Sequence, residues 1–334
     1  MGIFIPIGVV AVVAAVAVRY LARRAEHANP PVGRFIDVDG ARLHYVDQGP
    51  EQAQPVVLLH GNGTMIQDFA TSGLLDLTSA RYRVIVFDRP GYGYSTRPRG
   101  RSWNHRAQAT LIFDALQRLG IEKPIIVGHS WGTLVALALA VQYPAYVRSL
   151  VLLSGYYFPT FRLDVLLMSL PAIPVLGDII RYTIAPFLGR LMWPGLMRIM
   201  FGPAPMPPRF KQFPVWMALR PSQLRASAAE SGSMIPAAMD LRRHYRDLKM
   251  PVVIMAGTND RVVKVKRHSV QLHNEIPHSD LRLAPGIGHM IHHFIPQDVN
   301  AAIDAAGASQ VGSIQCSSAA TQQPSHSGDV RFAR

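Results

Sequence analysis

A serine hydroxyl becomes a nucleophile when the chain holds it in the open and a base stands ready to take its proton. Gly128, His129, Ser130, Trp131 and Gly132 have the spacing for the first requirement. They sit between the apolar run Pro124 to Val127 and the helix-like stretch Thr133 to Gln142, so the serine falls at the corner between a strand and a helix. Such a tight turn leaves little room for side chains two positions away, and both positions are glycine. The helix that follows points its free amides and positive dipole end toward charge developing beside Ser130. The chemistry this favours is covalent acyl transfer through serine. The five-residue pattern alone is common, so its surroundings decide.

Short extended runs alternate with helical ones from Arg34 onward, as in a mostly parallel sheet covered by helices. Phe35 to Val38 and Arg42 to Asp47, with a turn at Asp39 and Gly40, predict an opening hairpin. Further strands are expected at Val56 to Leu59, Arg83 to Phe87, Ile125 to Val127, Leu150 to Leu153, Val252 to Met255 and Leu281 to Leu283. Most are apolar throughout, as strands buried on both faces must be. Helical periodicity appears over Ala107 to Leu119, Thr133 to Gln142, Val263 to Asn274 and Asp298 to Ala306. Between about residues 155 and 240 the rhythm breaks. This stretch holds eight of the 13 methionines, with Pro171, Pro174, Pro186 and Pro194 between short apolar helices, and it predicts an adaptable apolar cap.

This order of elements, with the serine after the fifth strand, resembles the α/β-hydrolase superfamily over roughly residues 34–306. The resemblance implies an α/β fold with an eight-stranded, mostly parallel sheet, helices on both faces and a helical cap inserted after strand 6. It also implies a triad in the order serine, acid, histidine. Asp260 directly follows the seventh strand, where the family places its acid, and His289 directly follows the last, where it places its histidine. His289 would take the proton of Ser130, and Asp260 would hold the imidazole in the required tautomer. His292 and His293 are weaker alternatives for the base, and His129 is expected to line or pack. Asp240 and Asp247 match no acid position. The oxyanion hole would use the backbone amides of Trp131, which follows the nucleophile, and of Asn62, which follows a His60-Gly61 pair like that of the family. Asn62-Gly63-Thr64 also spells a glycosylation sequon, here read as coincidence. Residues Asp88 to Ser95 resemble a family loop that braces the site.

The resemblance therefore implies a carboxylic ester hydrolase acting on a small apolar substrate. Alternatives are a carbon–carbon bond hydrolase or acyltransferase with the same triad, and a catalytically silent, membrane-tethered binding protein. Capped epoxide hydrolases and haloalkane dehalogenases share the loop and cap but use an aspartate nucleophile, which Ser130 argues against. No metal or nucleotide signature appears, so no cofactor is expected. The single cysteine, Cys316, allows no intrachain disulfide. The net charge of +13 is spread along the chain rather than gathered into a stripe, which argues against a nucleic-acid partner.

Residues Gly2 to Val18 are 17 uncharged positions followed at once by Arg19, Arg23 and Arg24. That order predicts an N-terminal hydrophobic anchor over 1–24, membrane-bound, with the catalytic domain on the cytoplasmic side. Ala15, Val16 and Ala17 leave open the alternative of a cleaved, secreted or periplasmic protein. Residues 307–334, rich in Ser, Gln, Ala and Gly, are expected to be a disordered tail.

Overall fold

The computed structural model describes residues 4–160 and 163–308. Its chain order is helix α1 (Phe4–Ala28); strands β1 (Arg34–Val38), β2 (Ala41–Gln48) and β3 (Pro55–Leu59); helices α2 (Gln67–Ser72) and α3 (Leu74–Ser79); then β4 (Arg83–Phe87) and α4 (His105–Arg118). There follow β5 (Ile125–His129), α5 (Gly132–Gln142) and β6 (Ser149–Leu153). The cap comprises α6 (Leu163–Ser169), α7 (Leu176–Thr183), α8 (Ala185–Phe201), α9 (Val215–Ala218) and α10 (Pro221–Leu241). The chain returns through β7 (Val252–Gly257), α11 (Ser269–Glu275), β8 (Asp280–Ala284) and α12 (Pro296–Ala308).

The eight strands form one sheet in the order β1-β2-β4-β3-β5-β6-β7-β8. The β1 and β2 strands join antiparallel at one edge, and every pairing from β4 through β8 is parallel. The central strands β5 and β6 are buried along their whole length, which explains their unbroken apolar sequences. One face of the sheet packs on α4 and α5 and the other on α2, α3 and α12. Helix α5 is buried from Gly132 to Ala140, so its small and aliphatic residues meet the sheet and α4 together. The expected helix at 263–274 is shorter and begins at Ser269. The ring of His268 turns back to accept from the amides of Tyr157 and Phe158, and the chain reorients there.

Cap helices are longer than the prolines implied. Helix α8 runs through Pro194 and α10 through Pro236, because packing outweighs one lost backbone bond in each. The methionines divide between two roles. Met197 and Met217 pack with Phe201, Phe210 and Phe213 in a cluster that also takes in Ala25, Met65 and Met290 outside the cap, whereas Met168, Met192 and Met239 face outward.

The N-terminal segment departs from the expected anchor. Helix α1 continues to Ala28, and its charged half docks on the protein through buried Val18 and Ala25. Glu26 pairs with Arg220 at 2.7 Å, and Tyr94 Oη donates to the Asn29 carbonyl at 2.5 Å. Among the described residues, no helix is long and apolar enough to cross a membrane. At the other end α12 carries the domain to Ala308, two residues past the expected boundary. The remaining tail and Cys316 lie outside the described residues.

Candidate active site

Close packing builds the turn around Ser130. A Cβ on Gly128 would lie 2.7 Å from the Gly132 carbonyl oxygen, and one on Gly132 would lie 2.2 Å from that of Leu59. Only glycine lets β5, α5 and β3 approach this closely. Ser130 itself has φ of 52°, a left-handed conformation that a non-glycine residue holds only under strong constraint. The constraint includes its amide, which donates to the Leu153 carbonyl at 2.9 Å.

The structure brings three of the residues expected to act together to this corner. His289 Nε2 lies 2.9 Å from Ser130 Oγ, and His289 Nδ1 lies 2.7 Å from Asp260 Oδ2. The other carboxylate oxygen of Asp260 accepts from the amides of Val262 and Val263 at 2.7 and 2.9 Å, which fixes the acid in its loop. His289 and Asp260 are buried, while Ser130 is partly exposed. The His289 amide donates to the Met200 carbonyl in α8, so the base is tied to the cap.

Among the described residues, no protein group engages the amides of Asn62 or Trp131. Asn62 is held by its side chain, which donates to the Ser227 carbonyl at 3.1 Å and to Ser231 Oγ at 3.2 Å, both in α10. The remaining candidates go elsewhere. His292 and His293 face buried Asp68 rather than Ser130, and His129 Nε2 lies 3.3 Å from the His289 carbonyl. Burial, and then the neighbouring His292 and His289, push the His129 pKa well below its ordinary value, so it is neutral. Asp240 binds His105 and Arg106, and Asp247 is exposed beside His244.

A buried pair braces this geometry, joining a residue of the Asp88 to Ser95 loop expected to do so with Glu230, which the sequence did not single out. Arg89 and Glu230, both fully buried, form a bidentate pair between the loop after β4 and the cap helix α10. Arg89 also donates to the carbonyls of His60 and Gly61 at 2.9 and 3.0 Å, the two residues before Asn62, and its guanidinium lies between the rings of Tyr92 and Trp131. His60 is locked as a single neutral tautomer: Nδ1 donates to the Gly61 carbonyl and Nε2 accepts from the Arg89 amide. Burial, reinforced by the Arg89 charge, lowers its pKa to about 4.

A family model described as alpha/beta hydrolase fold matches residues 54–296. The chain belongs to this family. The hydrolase is 32% identical over 292 residues to an uncharacterised protein of Mycobacterium tuberculosis, spanning 82% of this chain and 80% of that one. It is 36% identical over 137 residues to 2-hydroxymuconate semialdehyde hydrolase of Pseudomonas putida, a match spanning 40% of this chain and 48% of that one. Among solved structures it resembles a bacterial membrane phospholipase A with TM-score 0.64 and 20% identity, over 91% of this chain and 96% of that one. At that identity the likeness concerns the fold.

Proposed function

We propose that the hydrolase cleaves a carboxylic ester of an apolar substrate through an acyl-enzyme on Ser130. The observation that carries this reading is a partly exposed Ser130 hydroxyl 2.9 Å from an imidazole whose other nitrogen faces a buried carboxylate. His289 takes the hydroxyl proton as Ser130 attacks the ester carbonyl, and Asp260 stabilises the imidazolium that forms. The amides of Asn62 and Trp131 receive the oxyanion. Collapse expels the alcohol with a proton from His289. Water activated by the same imidazole then releases the acid.

The same three residues would serve a carbon–carbon hydrolase, a reading favoured by the 2-hydroxymuconate semialdehyde hydrolase match. They would also serve an acyltransferase. A fluorophosphonate probe separates any serine enzyme from a silent binding protein: it should label the wild type and not Ser130→Ala. A panel of p-nitrophenyl esters should then show turnover that Ser130→Ala abolishes. Absence of labelling on folded protein would refute the serine mechanism, and labelling without ester turnover would move the assignment to the other bond types.

The substrate side of the proposal includes a lipid surface. Val9, Val10, Val12, Val13 and Val16 on α1 are exposed, as are Ile179 on α7 and Leu188, Leu191 and Met192 on α8. Helix α1 packs beside α7, with Arg19 over the Tyr182 ring. Exposed apolar side chains beside basic ones suit an anionic bilayer surface. Co-sedimentation with phosphatidylglycerol vesicles, reduced by salt and weaker with phosphatidylcholine, is expected; equal recovery without vesicles would remove this element.

A further inference from the structure

Behind the triad lies a second group of side chains that the ester chemistry does not use. Asp68 in α2, His129 at the end of β5, and His292 and His293 in the single turn Ile291–His293 converge in the interior, and each is at least nine-tenths buried. They come from three separate parts of the chain, and their donor atoms point inward.

The hydrogen bonding within this group is incomplete in a particular way. His129 Nε2 lies 3.3 Å from the His289 carbonyl oxygen, which can only accept, so that nitrogen carries the hydrogen. His129 is then left with a bare lone pair on Nδ1. This atom faces Asp68 Oδ2 at 3.8 Å, and neither has a hydrogen-bond partner among the described residues. Two acceptors confront each other in a site from which solvent is excluded, and a buried group in that state is costly. The third donor, His292 Nε2, lies 3.2 Å from Asp68 Oδ1. One ligand atom from each of Asp68, His129 and His292 lies within 4.8 Å of the other two. Bonds of about 2.0–2.1 Å in a tetrahedral zinc site place ligand atoms about 3.4 Å apart; His292 Nε2 lies 3.2 Å from one Asp68 oxygen and His129 Nδ1 3.8 Å from the other, so the carboxylate faces both rings at about that range.

We propose that Asp68, His129 and His292 form a binding site for one divalent first-row transition ion, with zinc the best fit. Two imidazoles and one carboxylate are borderline donors that suit zinc or cobalt and not magnesium or calcium, which prefer all-oxygen shells. The outer contacts have the usual form around two of the three ligands, while Nδ1 of His292 has no hydrogen-bond partner among the described residues. His129 donates its other ring hydrogen to a backbone carbonyl, and His293 Nε2, 2.8 Å from Asp68 Oδ1, steadies the carboxylate. A Cβ on Gly61 would approach His129 Nδ1 to 3.1 Å, so glycine keeps that side of the ring clear. Three protein ligands leave the fourth tetrahedral position to a water molecule, and because the site is buried the ion would act by holding the fold. It fastens α2 and the turn after His289 to the strand that carries Ser130, and substrate does not reach it. The inference is independent of which bond the triad cleaves.

Tag-free enzyme from zinc-supplemented cultures is gel-filtered and its metal content measured by mass spectrometry. A parallel sample is refolded with cobalt and its visible absorption recorded. We expect about one zinc per chain in the wild type and ligand-field bands in the cobalt sample. Asp68→Asn and His292→Gln should each lower zinc content at least about tenfold, with circular dichroism showing that they fold. Wild-type enzyme that holds no zinc and gives no cobalt bands overturns the site and leaves a buried water as the occupant. Folded variants that retain wild-type zinc overturn the ligand assignment. If neither variant folds, the cobalt spectrum of the wild type decides.

Discussion

Replacing Glu230 by alanine tests the claim that the cap is bolted to the oxyanion loop through a buried charge pair. Glu230 accepts from both terminal nitrogens of Arg89, from Gln108 Nε2 at 3.0 Å and from Tyr92 Oη at 2.7 Å, and neither Arg89 nor Glu230 is exposed at all. Deleting the carboxylate leaves a guanidinium buried without its counter-charge, a change that costs about 3–5 kcal/mol in comparable settings. Against a whole-domain stability of about 5–15 kcal/mol that is a large fraction. Urea unfolding followed by tryptophan fluorescence should show the loss as a lower midpoint. Much of the cost comes from the stranded charge rather than from the missing bonds, so Arg89→Met combined with Glu230→Leu should recover most of the stability. The double variant nevertheless removes the donors to the His60 and Gly61 carbonyls that precede Asn62. Its turnover should remain low, by up to the ~10²–10³-fold associated with losing an oxyanion donor. A Glu230→Ala enzyme within about 1 kcal/mol of wild type would refute the reasoning. So would a double variant no more stable than the single one.

Two further outcomes follow from the site. Asp260→Asn keeps the acceptor for Val262 and Val263 but no longer enforces the productive tautomer of His289, so kcat should fall about 10⁴-fold with little change in stability, and a fall below about tenfold would remove Asp260 from the triad. The second concerns pH. His60 titrates near 4 in the folded protein and near 6.5 when unfolded, so between those values the unfolded chain binds the proton and the native one does not. Stability should therefore fall as pH drops through 6.5, with about 2 kcal/mol of the loss between pH 7.5 and 5 due to His60. His60→Gln should flatten that slope in urea unfolding at the two pH values, and an unchanged slope would show that His60 is not its source.

How legible these features were in the sequence depends on the range of the interaction behind them. The turn at Ser130 is written in adjacent residues, because Gly128 and Gly132 are required by contacts of the turn itself. Asp260 and His289 could be placed because each directly follows a strand whose apolar run is unmistakable. The Arg89–Glu230 pair spans 141 positions and the Asp68–His292 contact 224, and no periodicity or spacing joins residues so far apart. His292 and His293 were visible as candidate bases, but the short turn after His289 aims them into the interior, a matter of backbone direction that composition does not encode. Helix α1 misled for a related reason. Its uncharged run resembles a membrane span, while what docks it is Glu26 meeting Arg220 in another element.

These long-range contacts also limit how substrate can enter. Contacts that join the cap to the catalytic machinery include Glu230 to Arg89, the Glu230 carbonyl to the Trp131 indole, Ser227 and Ser231 to Asn62, and Met200 to the amide of His289. Lifting α10 would break all of these but the last together, including the buried, bidentate Arg89–Glu230 pair. Helix α7 reaches the catalytic domain through the exposed Arg99–Asp178 pair, which contributes at most about 1 kcal/mol. Its outer face and that of neighbouring α8 carry the exposed apolar residues. Opening at α7 and the first half of α8 therefore leaves Asn62 and His289 in place, so the part of the cap that can yield to substrate is also the part that presents an apolar surface to it.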